Sequence, residues 1–151
     1  MTTLDNIIQM VSQTRFATEA GAAMHRNLQR VTIASDHCSG DSELVARIVK
    51  NKTLAQLFSP QSRTEVPIAG TINGRFVSRR LDRLLINDTE KTIMILDYKT
   101  DTAPDKYRTQ YISQVYEYMQ LLHAIYPNYT VHGYILWTHD FSLEKIPTKP
   151  L

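Results

Sequence analysis

Asp97 and Lys99 stand two residues apart at the end of an unbroken aliphatic run, Ile93-Met94-Ile95-Leu96. On a strand that spacing projects both side chains from one face, so a carboxylate and an ammonium can act on the same substrate atom. Charge placed beside a core costs free energy unless it is paired or solvated, so the spot is either a strand exit into water or a site. Asp-x-Lys alone is a weak signal, expected by chance roughly once in every two or three chains of this length. A second carboxylate sharpens it. The turn from Asn87 to Lys91 lies midway between Asp82 and Asp97, and in an antiparallel hairpin centred there opposed residue numbers sum to 179, which sets Asp82 across from Asp97. Opposed Cβ atoms are about 4.5–5.5 Å apart, and two carboxylates at that separation repel. Lys99 and Arg80 can neutralise them internally, or a divalent cation can, since hard oxygen donors suit magnesium or manganese. Such a cation lowers the pKa of water and polarises a phosphoryl oxygen, while Lys99 orients the nucleophile or neutralises charge developing on phosphorus. That chemistry is phosphodiester hydrolysis. A slip of one residue in the hairpin register turns Asp82 to the opposite face and removes the pair.

The elements that must position these groups are legible in the periodicity. Leu4, Ile7, Ile8 and Val11, then Ala20, Met24, Leu28 and Val31, recur at helical spacing, so one or two helices open the chain. After the turn-rich stretch from Ser35 to Glu43, one helix is expected to run to Phe58, with Asp41 or Ser42 as N-cap and Leu44, Ile48 and Leu57 toward the core. From Arg63 the pattern becomes strand-like in three runs, 63–74, 75–86 and 91–100, broken at Gly70, at Asn73-Gly74 and at the 87–91 turn. The run Ile93–Leu96 reads as a strand covered on both faces, the middle of a sheet. A helix over about 105–125 follows, with Tyr107, Tyr111, Val115, Tyr118, Met119 and Leu122 as its apolar stripe. A last strand covers 130–139, and the tail from Leu143 reads as unstructured or as the start of a further segment. The order is helices, then β-β-β-α-β, in one layered α/β domain without linker or repeat.

The bulk properties restrict the partners. A chain of 151 residues with 42% apolar and 21% charged content fits one soluble globular domain with its own core. The single Cys38 forms no internal disulfide and excludes a multi-cysteine metal site within the chain, which fits a reducing cytoplasm. The opening residues lack a cationic start followed by an apolar block, and no run reaches the ~18 apolar residues of a membrane span, so no membrane partner is expected. Net charge is only +2, yet Arg63, Arg75, Arg79, Arg80 and Arg83 fall within 21 residues that hold the carboxylates of Glu65 and Asp82. That stretch is either a solvated arginine-bearing strand face or a phosphate-binding one.

Taken together, the residues resemble the PD-(D/E)xK nucleases, and more closely the RecB/AddA-type nuclease domains of bacterial recombination helicase–nucleases. Glu19-Ala-Gly21-Ala-Ala-Met-His25 is similar to the family's Gly-x-x-x-His helix, and Glu65-Val-Pro67 to its Glu-x-Pro strand. The strand "RRLDRLL" is similar to the one bearing the first metal aspartate, "ILDYKT" to the Asp-Tyr-Lys-Thr core, and "QVYEY" to the Gln-x-x-x-Tyr helix. "VHGYILWT" resembles the closing strand; Arg79 stands where the family usually has glycine. The resemblance implies a restriction-endonuclease-like core: a central mixed sheet flanked by helices, with further helices at the N-terminus. It implies His25, Asp82, Asp97 and the Tyr98 backbone carbonyl as ligands of Mg2+ or Mn2+, and Asp82, Asp97 and Lys99 as catalytic residues. Gln114 and Tyr118 share a helix face and serve substrate contact, a hydrogen bond that fixes the helix, or both; Arg80 and Arg83 would hold the DNA backbone without reading sequence. Glu65 is a supporting or a purely structural carboxylate.

The implied activity is a metal-dependent deoxyribonuclease, expected to be an exonuclease in double-strand break repair and recombination. The chain would be the C-terminal nuclease part of an AddA-like polypeptide, with a helicase module in cis and an AddB-like subunit as partners. No phosphate-cradling Gly-x-x-x-x-Gly-Lys-Ser/Thr loop occurs in these residues, so no ATP-driven motor is encoded in them. The rival expectation is a non-catalytic module of the same fold that binds DNA or a helicase. His37, His123, His132 and His139 show no ligand spacing. Tyr107, Tyr111 and Trp137 either stack on bases or belong to the core.

Overall fold

A computed structural model describes residue 19, residues 21–100 and residues 104–148. The expected helix around Leu4, Ile7, Ile8 and Val11, and Asp101, lie outside the described residues. The described chain begins with helix α1 (residues 21–29) and a two-residue antiparallel ribbon, β1 (Thr32–Ile33) with β2 (Cys38–Ser39). Helices α2 (Ser42–Val49) and α3 (Lys52–Leu57) follow, then strands β3 (Arg63–Ile72), β4 (Arg75–Asn87) and β5 (Thr92–Lys99). Helix α4 (Pro104–Ile125) leads to β6 (Thr130–Trp137) and β7 (Ser142–Ile146).

The expected single helix from residue 41 to 58 is two helices. Asp41 caps the first, accepting from the backbone N–H groups of Glu43 and Leu44. Asn51 starts the second by accepting from the Leu54 N–H. An asparagine whose side-chain oxygen replaces a backbone carbonyl as acceptor competes with helix continuation, and here it wins. The tail expected to be unstructured carries β7, whose residues pair antiparallel with β6 from Gly133↔Ile146 to Trp137↔Ser142. Buried Ile146 gives it an apolar anchor.

The central sheet is mixed, with order β3-β4-β5-β6-β7. The three-strand meander forms as the turn signals require, and α4 carries the chain across so that β6 lies parallel to β5. Strand β5 is therefore the middle of the sheet. Its alternate residues feed two cores. Ile93 and Ile95 pack with Ile112, Val115, Met119 and Leu122 of α4, while Leu96 and Tyr98 pack with Leu28, Ile48, Leu54 and Phe58 from the α1–α3 layer. This three-layer arrangement explains why the run Ile93–Leu96 has no polar alternation. Among the described residues there are four helices, and none is long and apolar enough to cross a membrane.

The buried stripe of α4 includes Val115, Tyr118, Met119 and Leu122 as expected, with Ile112 and Leu121 added. Tyr107 is exposed and Tyr111 half-buried, because the first turns of α4 overhang the end of the sheet. Farther along, Gly133 of β6 lets the helix lie close. A Cβ built there would sit 2.6 Å from the Met119 sulfur and 2.9 Å from Val115.

Candidate active site

The β4–β5 register obeys the sum of 179 over all its pairs, from Asn87↔Thr92 to Arg83↔Leu96. The next step places Asp82 beside Asp97, where the ladder gives way to a side chain: the Tyr98 backbone N–H donates to Asp82 Oδ2 at 2.8 Å. On the other flank the β3–β4 ladder runs Thr64↔Arg83 and Val66↔Leu81 and skips Glu65, opposite Asp82. Glu65 takes φ +53°, a left-handed backbone that a glutamate adopts only under constraint from its surroundings. The sheet is thus pried open on both sides of Asp82, and Asp82 and Asp97 are both more than nine-tenths buried there.

Two buried carboxylates cannot both ionise cheaply. Burial raises the Asp82 carboxyl most, the Asp97 charge beside it adds to this, and the Tyr98 N–H opposes it; the carboxyl rises from 3.8 to about 8. At neutral pH the pair therefore holds a proton unless a cation replaces it. Lys99 Nζ forms an ion pair with the buried Asp97 Oδ2 at 2.8 Å. The ammonium also donates to Gln114 Oε1 at 2.8 Å and sits 4.5 Å from the centre of the Tyr111 ring. Helix α4 thereby fixes where Lys99 points.

His25 comes from the opposite layer, on α1. Its Nε2 is 3.2 Å from the Tyr98 carbonyl oxygen, its Nδ1 is 3.7 Å from Asp82 Oδ1, and its ring meets the Tyr98 ring edge-on at 5.3 Å. The His25 nitrogen and the Tyr98 oxygen stand at hydrogen-bond distance from each other, and Asp82 and Asp97 bring hard anionic oxygens beside them. His25, Asp82, Asp97 and the Tyr98 carbonyl are the groups that could hold a divalent cation. The side chains are not drawn to coordination distance: among the described residues no three His, Cys, Asp or Glu side chains form a ready metal cluster.

The structure gathers His25, Asp82, Asp97, Tyr98, Lys99 and Gln114 in one place, with Tyr118 buried behind the two aspartates. Their charges and its own burial push the Tyr118 phenol upward, so it stays neutral. Beside Gln114 and Tyr111 opens a groove of 580 Å³, also lined by Arg79, Thr109, Gln110, Ser113 and Glu117. Arg80 is exposed, with Glu65 3.8 Å away. Arg83 is a correction to the expectation of a DNA-backbone contact. It is 2% exposed and cannot meet a phosphate, because strand alternation sends it to the opposite face from Asp82, into the α1–α3 layer. There it donates to the Tyr98 hydroxyl at 2.8 Å and to Ser62 at 2.7 Å, and stacks its guanidinium 3.9 Å over Phe58. An arginine among the aliphatic residues Leu81, Leu84, Leu85 and Ile86 was the sequence signal for this role. Arg79, at the position expected to be glycine, lies across to α4 with Glu117 3.1 Å away. No family model matches the chain, and no curated protein matches it.

Proposed function

We propose that the chain is a Mg2+- or Mn2+-dependent deoxyribonuclease with a restriction-endonuclease-like core, of the PD-(D/E)xK kind and similar to RecB/AddA-type nuclease domains. The observation that carries this reading is the convergence of His25 Nε2 and the Tyr98 carbonyl with Asp82 Oδ1 and the buried Asp97 carboxylate, beside the Lys99 ammonium. A bound divalent cation supplies Lewis acidity and an acidified water. The protein's own groups do the rest. Asp82, Asp97, His25 and the Tyr98 carbonyl would hold the cation, Asp82 giving up the proton that burial keeps on it, and β5 holds Asp97 and Lys99 rigid. Lys99, steered by Gln114 and Tyr111, faces the scissile phosphate and offsets charge developing on its oxygens. Arg80 holds the DNA backbone without reading bases. The exposed free Cys38 suits a reducing cytoplasmic setting. On this reading the domain works as an exonuclease in double-strand break repair, beside a helicase module and an AddB-like subunit.

A second reading, a non-catalytic module that binds DNA or a helicase, draws on one observation: Lys99 and a proton on Asp82 already neutralise the cluster. Metal dependence separates the two. Linear single- and double-stranded DNA, incubated with the 151-residue chain and Mg2+, Mn2+ or EDTA, is cut only with metal and only by protein with intact Asp97. Uncut DNA under every condition removes the autonomous-enzyme reading, and equal cutting by Asp97→Ala removes the site.

A further inference from the structure

Among the described residues Arg83 is a buried cation with no carboxylate partner. Beyond Tyr98 and Ser62, its Nη2 donates to three main-chain carbonyls at the C-terminal end of α1 and just after it: Leu28 at 3.1 Å, Gln29 at 3.2 Å and Val31 at 2.8 Å. A helix leaves its last carbonyls unpaired and carries partial negative charge there, so a guanidinium is well matched to that end. The planar fork lets one side chain reach those carbonyls, a hydroxyl and an aromatic face together, which a lysine cannot do.

The partners join the layer that carries His25 to the strand that carries its acceptor. Tyr98 is engaged at every polar group: its N–H with Asp82, its carbonyl with His25, and its hydroxyl with Arg83. Its ring stacks on Phe58, the same ring that lies under the Arg83 guanidinium. At the other end of α1, Gly21 packs against the strand's exit, where an added Cβ would come within 3.0 Å of Thr100 Oγ1. His25 lies between these two anchors, one turn from each. Its side chain is about one-third exposed, and its contacts to Asp82 and Tyr98 are long, so the placement of α1 decides where the imidazole stands.

We infer that Arg83 is a positioning residue: by clamping the C-terminal end of α1 to Tyr98, it sets the His25 imidazole against the Tyr98 carbonyl and Asp82. The link to catalysis rests on the proposed cation site, but the positioning itself does not. Partners that orient a metal ligand change affinity by about tenfold to a hundredfold when removed.

The test uses the full chain as wild type, Arg83→Lys, Arg83→Met, Tyr98→Phe and Leu122→Ala, the last a core truncation on the opposite, α4 face. In metal-free protein, amide exchange across residues 21–31 and the 15N signals of the His25 ring report the position of α1. Both change in Arg83→Lys, with exchange faster by at least tenfold there than in β6. Tyr98→Phe gives a smaller change of the same kind, and Leu122→Ala leaves α1 protection in line with the rest of the fold. With Mn2+ titrated in, Arg83→Lys binds at least tenfold more weakly and Leu122→Ala binds as wild type. If Arg83→Met does not fold, Arg83→Lys and Tyr98→Phe still decide. Wild-type α1 exchange and His25 signals in Arg83→Lys overturn the inference. If wild type binds no Mn2+, the cation reading fails while the metal-free measurements still decide the role of Arg83.

Discussion

The backbone N–H of Tyr98 donates to Asp82 Oδ2 at 2.8 Å, so a side chain stands where the β4–β5 ladder would otherwise continue. That bond ties one carboxylate oxygen to the β5 backbone and leaves the other, Oδ1, 3.7 Å from His25 Nδ1. It also keeps two aspartates side by side in a buried place, which is costly without a compensating positive charge. Each expectation below follows from that cost or from the groups that offset it.

Asp82 makes the metal-free protein lose stability as pH rises from about 4 to about 8. Asp82 titrates at about 8 when folded against 3.8 for a solvated carboxyl, so between those values the unfolded chain has released a proton that the folded one keeps. The contribution of Asp82 to stability is then greatest below about pH 4, declines through the interval to about 8, and flattens above it. Thermal unfolding in EDTA from pH 5 to 9 should show the decline for wild type and lose this contribution in Asp82→Asn. Mg2+ at pH 8 should raise the melting temperature of wild type but not of Asp82→Asn, since a ligand bound only to the folded state stabilises it.

Lys99→Ala should cut DNA about a hundredfold to a thousandfold more slowly than wild type, the loss typical of one pre-aimed group that stabilises transition-state charge. Cleavage rates at saturating Mg2+ check it, with circular dichroism to establish that the variant is folded.

Gln114→Ala removes the carbonyl oxygen that receives the Lys99 ammonium at 2.8 Å and leaves the core intact. The rate should fall about tenfold with little change in melting temperature, because the lysine is misdirected rather than absent. A variant that loses stability but keeps its rate would assign Gln114 to helix fixation alone.

The closeness of α4 to the sheet predicts a purely structural effect. Gly133→Ala drives a methyl into Met119 and Val115, and overpacking of this kind costs about 1–3 kcal/mol. Chemical denaturation measures it, and Met119→Ala in the same background should recover part of the loss.

Much of this was legible in the residues. The aliphatic run before Asp97 announced a strand covered on both faces, and the symmetry of the 87–91 turn fixed the register that sets Asp82 beside Asp97. Both are local signals, one of composition and one of chain length, and β5 obeys them. The break at Asn51 was missed although Leu57 would fall about half a turn away from the Leu44–Ile48 face on a continuous helix; the side-chain bond to the Leu54 N–H marks the new start. Strand β7 was missed because Leu143-Glu144-Lys145-Ile146 has little β signal and forms by pairing with β6. Arg83 was misassigned for a different reason. Charge in a strand suggests solvent or phosphate, and nothing in one dimension shows that the end of α1 arrives to receive it.

The measurement that bears most directly on the central claim is the anomalous scattering of Mn2+ in crystals of the protein at pH 7.5. The account predicts a peak bounded by His25 Nε2, the Tyr98 carbonyl, Asp82 and Asp97, absent in Asp97→Ala. No peak at that place in wild type, or an unchanged peak in Asp97→Ala, would contradict it.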